Sequence, residues 1–287
     1  MAYISDVSKI KIKKMDINTS IELNNGINIP LLGLGTYLTK AGNETLNAVR
    51  YALDIGYRHI DTAALYANEK DVGIAVKQSK LAREEIFITT KVWNSEHGFN
   101  KTIKAFDESL RKLDSDYIDL YLVHWPVPEL RGDTWKALEK IYSEGKAKSI
   151  GVSNYTIHHL DELLKSCKII PSVNQVELSP FLQQPELMQY CKEKGIIVEA
   201  YSPLTRGKKF NDKRLKDLAN KYSKTSAQIM IRWALQYDTV VLPKSARPER
   251  IKENADVFDF EISDEDMEYM KSFDEGFRIA WDPSDLN

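Results

Sequence analysis

The sequence predicts an α/β protein, an eight-stranded parallel (β/α)8 or TIM barrel with an N-terminal β-hairpin closing its bottom. Three observations lead there. From Ser20 onward, short β-branched runs alternate with longer segments of helical period. The strand runs are apolar throughout, as in parallel sheets covered on the outer face. Eight such units in 287 residues most economically close into one barrel.

The elements follow in order. The stretch IELNNGINIP (21–30) reads as the hairpin, with Asn25-Gly26 supplying the turn where positive φ is needed. Strands are expected at 31–36, 58–63, 86–93, 117–125, 147–153, 172–178, 196–204 and 239–245. Between the first two, Leu46, Val49 and Leu53 share one helical face and Gly56 ends the helix. Ile103, Phe106, Leu110 and Leu113 mark a later helix, and Trp135, Leu138 and Ile141 another. Thr225 with Gln228 makes a capping box, and Ser263 with Asp266 suggests a second. A doubly wound open sheet is the rival, but Gly33-Leu34-Gly35 continues Thr36-Tyr37-Leu38 with no third glycine, so the dinucleotide fingerprint fails. The expected organisation is an extension over 1–18, with Lys9, Lys11, Lys13 and Lys14 on a solvated face, and a single barrel domain over 19–287.

Composition removes several classes. With 40 Lys+Arg against 42 Asp+Glu the net charge is -2, which argues against a surface built to attract nucleic acid. Cys167 and Cys191 are too few for a disulfide framework or a cysteine zinc site. No run approaches the roughly 20 apolar residues of a transmembrane helix, so no membrane partner is expected and the expected location is the cytoplasm. A monomer is expected. His97, His158 and His159 offer no metal-ligand spacing, and capping or exposed roles suit them better.

In such a barrel the active face lies where strands end. Asp61 and Tyr66, Lys91 and Trp93, His124 and Trp125, Ser153 and Asn154, Tyr201 and Ser202, and Lys244 and Ser245 fall at or just beyond strand ends, and Asn174, Gln175 and Glu177 lie in the sixth strand. Asp, Lys, Tyr and His on adjacent strands suggest proton transfer. A phenol with an ordinary pKa of about 10 donates poorly near neutrality unless a cation favours its anion, a role open to Lys91, with Asp61 holding the lysine. His124 is placed to polarise or orient a carbonyl. The competing reading is a buried Asp–Lys ion pair with Tyr66 and His124 satisfied by the core.

Read together, IELNNGINIPLLGLGT, GYRHIDTAALYANEKDVG, IFITTKVW, YIDLYLVHWP, KSIGVSNY, NQVELSP, AYSPL and LPKSARPERIKEN resemble the successive signature blocks of the aldo-keto reductases, in the family's order from about Ile21 to Asn254. The resemblance implies an NADPH-dependent oxidoreductase that reduces aldehydes or ketones without a metal. It implies a catalytic tetrad of Asp61, Tyr66, Lys91 and His124, with Tyr66 as general acid and Lys91 lowering its pKa. By the same resemblance, Ser153, Asn154 and Gln175 contact the nicotinamide carboxamide and Tyr201 stacks on its ring. Gly35 and Thr36 approach the cofactor from the first loop. Ser202 and Leu204 lie at the pyrophosphate, where Arg206, Gly207, Lys208 and Lys209 make a basic loop able to close over it. Lys244, Ser245 and Arg250 match the 2′-phosphate group, and Glu253 and Asn254 the adenine contacts. Two cations and a hydroxyl before a helix N-terminus also form a natural anion site, which favours NADPH over NADH.

Tyr37, Trp93 and Trp125, with Trp281 from the tail, suggest an aromatic mouth binding a small carbonyl compound alongside Tyr66 and His124. Many relatives carry a histidine two residues before the tyrosine, where this chain has Ala64. The short tail is more like the microbial members. A catalytically weak, NADPH-binding barrel acting as a sensing or structural partner is the alternative function, although all four tetrad members are present. A metal-dependent barrel hydrolase lacks clustered His and carboxylate ligands at strand ends.

Overall fold

The computed structural model describes residues 15–286, so Lys9, Lys11, Lys13, Lys14 and the rest of 1–14 lie outside the described residues. The last four residues assigned to the extension are packed: Met15 and Ile17 lie half-buried against the core, and the Asp16 N–H donates to Thr19 Oγ1 at 2.8 Å. Two apolar side chains dock this segment while its polar neighbours face water.

The hairpin pairs β1 (Ser20–Glu22) with β2 (Asn28–Pro30), Ile21 opposite Ile29, and Gly26 takes a φ of +83° in the turn. The barrel strands are β3 (Leu34–Gly35), β4 (His59–Asp61), β5 (Phe87–Val92), β6 (Ile118–Val123), β7 (Ala147–Ser153), β8 (Val173–Glu177), β9 (Ile197–Tyr201) and β10 (Val240–Leu242), each parallel to its neighbour in chain order. Isolated parallel bridges, Leu32 to Val241 and Gly35 to Lys244, join the last strand to the first. The hairpin turn closes the bottom. Asn24 Nδ2 donates to Pro171 O at 3.1 Å and Asn25 Nδ2 to Lys148 O at 2.9 Å, beside the N-terminal ends of β8 and β7.

Several strands are shorter than the apolar runs suggested. β9 ends at Tyr201 because Ser202 turns into the left-handed region at φ +49°, and β10 stops before Pro243, which has no N–H for a ladder.

Helices α1 (Asn43–Asp54), α2 (Glu69–Gln78), α3 (Phe99–Leu113), α4 (Arg131–Ser143), α5 (Ile157–Leu164) and α6 (Pro185–Glu193) follow β3 to β8 in turn. α7 (Lys213–Tyr222) and α8 (Ser226–Leu235) follow β9, and α9 (Pro248–Ala255) and α10 (Asp264–Lys271) follow β10. Trp135, Leu138 and Ile141 of α4 and Val49 and Leu53 of α1 are buried, as their spacing predicts, while Leu46, Ile103 and Leu110 are half-buried at the edge of the core. The Thr225–Gln228 capping box forms in both directions. At Ser263 only the serine half forms, because the Asp266 carboxylate takes Lys221 and the Tyr222 hydroxyl instead.

Candidate active site

The polar strand ends converge on one cavity of about 910 Å³ at the C-terminal face. Its floor is built on Lys91. Buried on β5, its ammonium donates to both Asp61 oxygens at 2.8 and 2.7 Å and to Thr62 O at 2.9 Å, and it lies 3.4 Å from the Tyr66 hydroxyl. Tyr66 reaches this point from a 3-10 turn, Ala64–Tyr66, that follows β4 and ends with Ala67 at φ +56°. All four tetrad candidates therefore lie together: Asp61, Tyr66 and His124 line the cavity, and Lys91 lies directly beneath them.

The electrostatics depart from one expectation. Burial pushes the Tyr66 phenol well above its ordinary range, and the Asp61 charge raises it further. Desolvation thus outweighs the ammonium 3.4 Å away, and the hydroxyl stays protonated. Burial, then the charge on Lys91, pushes His124 well below its ordinary value, so the imidazole is neutral. Its Nδ1 has no hydrogen-bond partner among the described residues, and its ring meets those of Trp93 and Tyr66 edge-on, with centroids 5.1 and 5.8 Å away. Asp61 is raised by burial, opposed by Lys91 and Gln175.

Gln175, on β8, donates from Nε2 to Asp61 Oδ2 at 2.8 Å and to Glu199 Oε2 at 2.5 Å. Asn154 ties three strands: its Nδ2 donates to His124 O at 2.9 Å and to Ser153 Oγ at 3.1 Å, while its Oδ1 accepts from the Tyr201 hydroxyl at 2.8 Å. Asn154, Ser202, Thr205 and Arg206 all have φ between +49° and +65°. Strained backbone of this kind, outside glycine, concentrates where a site needs an unusual direction.

Gly35, Ser153, Tyr201, Ser202 and Leu204 line the same cavity, as do Lys244, Ser245, Arg250, Glu253 and Asn254 at its far end. Thr36 does not. It is fully buried, and its N–H and hydroxyl both donate to Asp61 O, at 3.0 and 2.9 Å, so it shapes β4 from behind. Of the basic loop, Arg206 and Gly207 line the cavity but Lys208 and Lys209 do not. Lys209 pairs with Glu275 and sits 4.2 Å from the Phe277 ring centre, held by the tail.

At the far end, Lys244 donates to Leu38 O at 3.1 Å, and burial lowers its pKa. Arg247 and Arg250 make no ion pair among the described residues, and both line the cavity at the start of α9. The sequence signal for Arg247 is a third cation one helical turn before Arg250.

Tyr37, Trp93, Trp125 and Trp281 all line the cavity. Trp281 packs on Trp125 with ring centres 5.5 Å apart, and Tyr37 lies 4.9 Å from Tyr66. Glu177, which had been noted without a role, holds the tail. Its two oxygens accept from the N–H groups of Ile279 at 2.6 Å and Ala280 at 2.8 Å, fixing the residues before Trp281. His159 caps α5 through Thr156 and donates from Nε2 to Leu286 O at 3.2 Å, a capping role as expected. Among the described residues, no group of three or more His, Cys, Asp or Glu could hold a metal ion, and no helix is long and apolar enough to cross a membrane.

The strand order and bridges define a (β/α)8 barrel with a polar floor at its C-terminal face, and comparison with known proteins gives the family. The profile of the Aldo/keto reductase family matches residues 31–275, and the chain belongs to that family. It is 48% identical over 270 residues to glyoxal reductase of Bacillus subtilis (strain 168), covering 94% of this chain and 98% of that protein. Among solved structures, an aldo-keto reductase from a Medee basin deep-sea metagenome library superposes with a TM-score of 0.89 at 47% identity, over 91% of this chain and 97% of that one. A Bombyx mori aldo-keto reductase in complex with NADP superposes with a TM-score of 0.84 at 37% identity, over 91% of this chain and 94% of that one.

Proposed function

We propose that this protein reduces aldehydes and ketones to alcohols with NADPH, and that Tyr66 is the general acid. The observation that carries the reading is the chain Asp61–Lys91–Tyr66 beneath a cavity that the neutral His124 lines beside Tyr66. A protonated phenol donates a hydrogen bond to a carbonyl oxygen, and a neutral imidazole still carries one N–H that does the same. Tyr66 gives its proton to that oxygen as negative charge develops there, and His124 holds the carbonyl in line. Lys91 then stabilises the phenolate left behind, and Asp61 keeps the ammonium charged and in place.

The donor set fits the cofactor. Tyr201 offers an aromatic face, Gln175 and Ser153 offer polar groups beside it, and Lys244, Ser245, Arg247 and Arg250 gather at the start of α9 where a 2′-phosphate is favoured. When bound, NADPH supplies the hydride that the carbonyl carbon accepts. Tyr37, Trp93, Trp125 and Trp281 shape an apolar wall and exclude water from the reacting oxygen. The likeness to glyoxal reductase is the reason to begin the substrate trials with glyoxal.

The test follows loss of NADPH absorbance with a panel of carbonyls that begins with glyoxal. Turnover reduced by roughly 10²–10⁴ in Tyr66→Phe with NADPH binding preserved is the expected result. A wild-type protein that binds NADPH but turns over no member of the panel overturns the reading.

A further inference from the structure

The barrel interior below the tetrad holds a second carboxyl that the proposed chemistry does not use. Glu199, at the centre of β9, is fully buried. Its Oε2 accepts from Gln175 Nε2 at 2.5 Å, the same nitrogen that reaches Asp61 Oδ2 at 2.8 Å. Among the described residues its Oε1 has no hydrogen-bond partner, and it stands 3.6 Å from His59 Nε2, which is itself 2.9 Å from Thr89 Oγ1. Two sealed carboxyls thus share one amide nitrogen.

We propose that Glu199 is a positioning residue for the reaction, orienting the Gln175 amide from below and setting the charge under the Asp61–Lys91–Tyr66 chain. This rests on the reductase reading given above. Both hydrogens of the Gln175 NH2 group point into the barrel, one to each carboxyl, so its carbonyl oxygen is turned away from them and toward the cavity that Gln175 lines. An acceptor is therefore what this side chain presents to an amide of a ligand.

Charge bookkeeping fixes the state of Glu199. From β4 it faces Asp61 and His59, from β5 Lys91 and the uncharged Thr89, and from β8 the uncharged Gln175; Val240–Leu242 of β10 bring no charge, and the Tyr66 phenol lies above. Lys91 is already neutralised by Asp61 through two hydrogen bonds. An ionised Glu199 would leave a net buried negative charge, which is expensive in a dry interior. Burial also holds His59 neutral, pushed down to about 3, so no second cation is at hand. Burial and the Asp61 charge push Glu199 up to about 8. Below that pH it is a neutral acid, with its proton on the oxygen facing His59. Above it, a new negative charge opposes formation of the Tyr66 phenolate.

The experiment uses the full-length protein with NADPH and the carbonyl the wild type reduces fastest. In Glu199→Gln the side-chain oxygen can still accept from Gln175 but cannot ionise; in Glu199→Leu the acceptor is gone. The wild-type profile of kcat/KM for reduction is expected to fall through an ionisation near pH 8 that Glu199→Gln lacks. Glu199→Leu should weaken NADPH binding about tenfold, read by quenching of protein fluorescence, as a polar group left unpaired costs about 1–3 kcal/mol. Superimposable pH profiles for wild type and Glu199→Gln overturn the proposal. If Glu199→Leu does not fold, the Glu199→Gln profile decides alone. A wild type that turns over no carbonyl defeats the reductase reading instead, and then the NADPH affinity of the two variants decides: Glu199→Gln bound as tightly as wild type with Glu199→Leu weakened upholds the orientation of Gln175, and equal affinities refute it.

Discussion

The two ends of the cavity are finished to different degrees. At the floor, Lys91 is matched by Asp61, Gln175 bridges two carboxyls, and His124 is neutral, so the charges are settled by the fold itself. At the far end, Arg247 and Arg250 carry no ion pair among the described residues and Lys244 spends a proton only on Leu38 O. The floor is complete before any ligand arrives, whereas the far end is short of negative charge. Chemistry demands fixed geometry at the moment of reaction, and affinity can be gained by leaving cations to be neutralised by the ligand.

That contrast can be broken most sharply at Tyr66. Removing a general acid costs roughly 10²–10⁴ in rate, so Tyr66→Phe should lose kcat by that factor while the NADPH Kd, measured by fluorescence titration, stays within about twofold. A large change in Kd would mean that the floor is not independent of the cofactor end. Lys91→Met should instead damage the fold, because it strands the Asp61 carboxyl in the interior. A loss of about 3–5 kcal/mol in denaturant unfolding is expected, the range for breaking a buried pair from one side. At the other end, Lys244→Ala should weaken NADPH about tenfold and leave NADH and kcat unchanged, since a charge-assisted hydrogen bond contributes about 1.5–3 kcal/mol. Equal weakening of both nucleotides would remove the 2′-phosphate from this position.

A smaller effect is expected where the tail meets the floor. Glu177→Gln replaces one of two acceptors for the Ile279 and Ala280 N–H groups, so the KM for bulky aromatic aldehydes should rise several-fold, the cost of about one neutral hydrogen bond, with glyoxal much less affected. A signal of a different kind is in the pH dependence of stability. Glu199 has a folded pKa of about 8, above its value of about 4.3 when unfolded, so the folded state binds the extra proton between those values and stability falls as pH rises through that window. Unfolding free energies of Glu199→Gln should show a flatter decline over the same range.

Much of the floor was legible because charged and aromatic residues stood out where apolar strands ended, and the family's ordered blocks assigned them roles. Glu199 was visible as a charge inside an apolar run, IIVEAYSPL, but the run was read for its periodicity and the exception was passed over. The direction of the Tyr66 shift was not legible. It depends on desolvation, which no residue spacing reports. Lys209 illustrates a different limit: its partner Glu275 lies 66 residues away, so charge along the chain pointed to a phosphate loop where the fold builds an ion pair.

The seam of the barrel carries one further consequence. β3 and β10 meet through two isolated bridges and the bonds Gly33 N–H to Val241 O at 2.9 Å, Val241 N–H to Leu31 O at 2.8 Å and Gly35 N–H to Pro243 O at 3.1 Å. Among the described residues these are the backbone hydrogen bonds between the two ends of the sheet, and Gly35 and Lys244, on either side, both line the cavity. A nucleotide lying there works as a stitch across the join. It lowers the population of molecules opened along this edge, and at 100 times its Kd it adds about 2.7 kcal/mol against unfolding. Slower hydrogen exchange at Gly33, Gly35 and Val241 on addition of NADPH is the outcome expected of such a stitch.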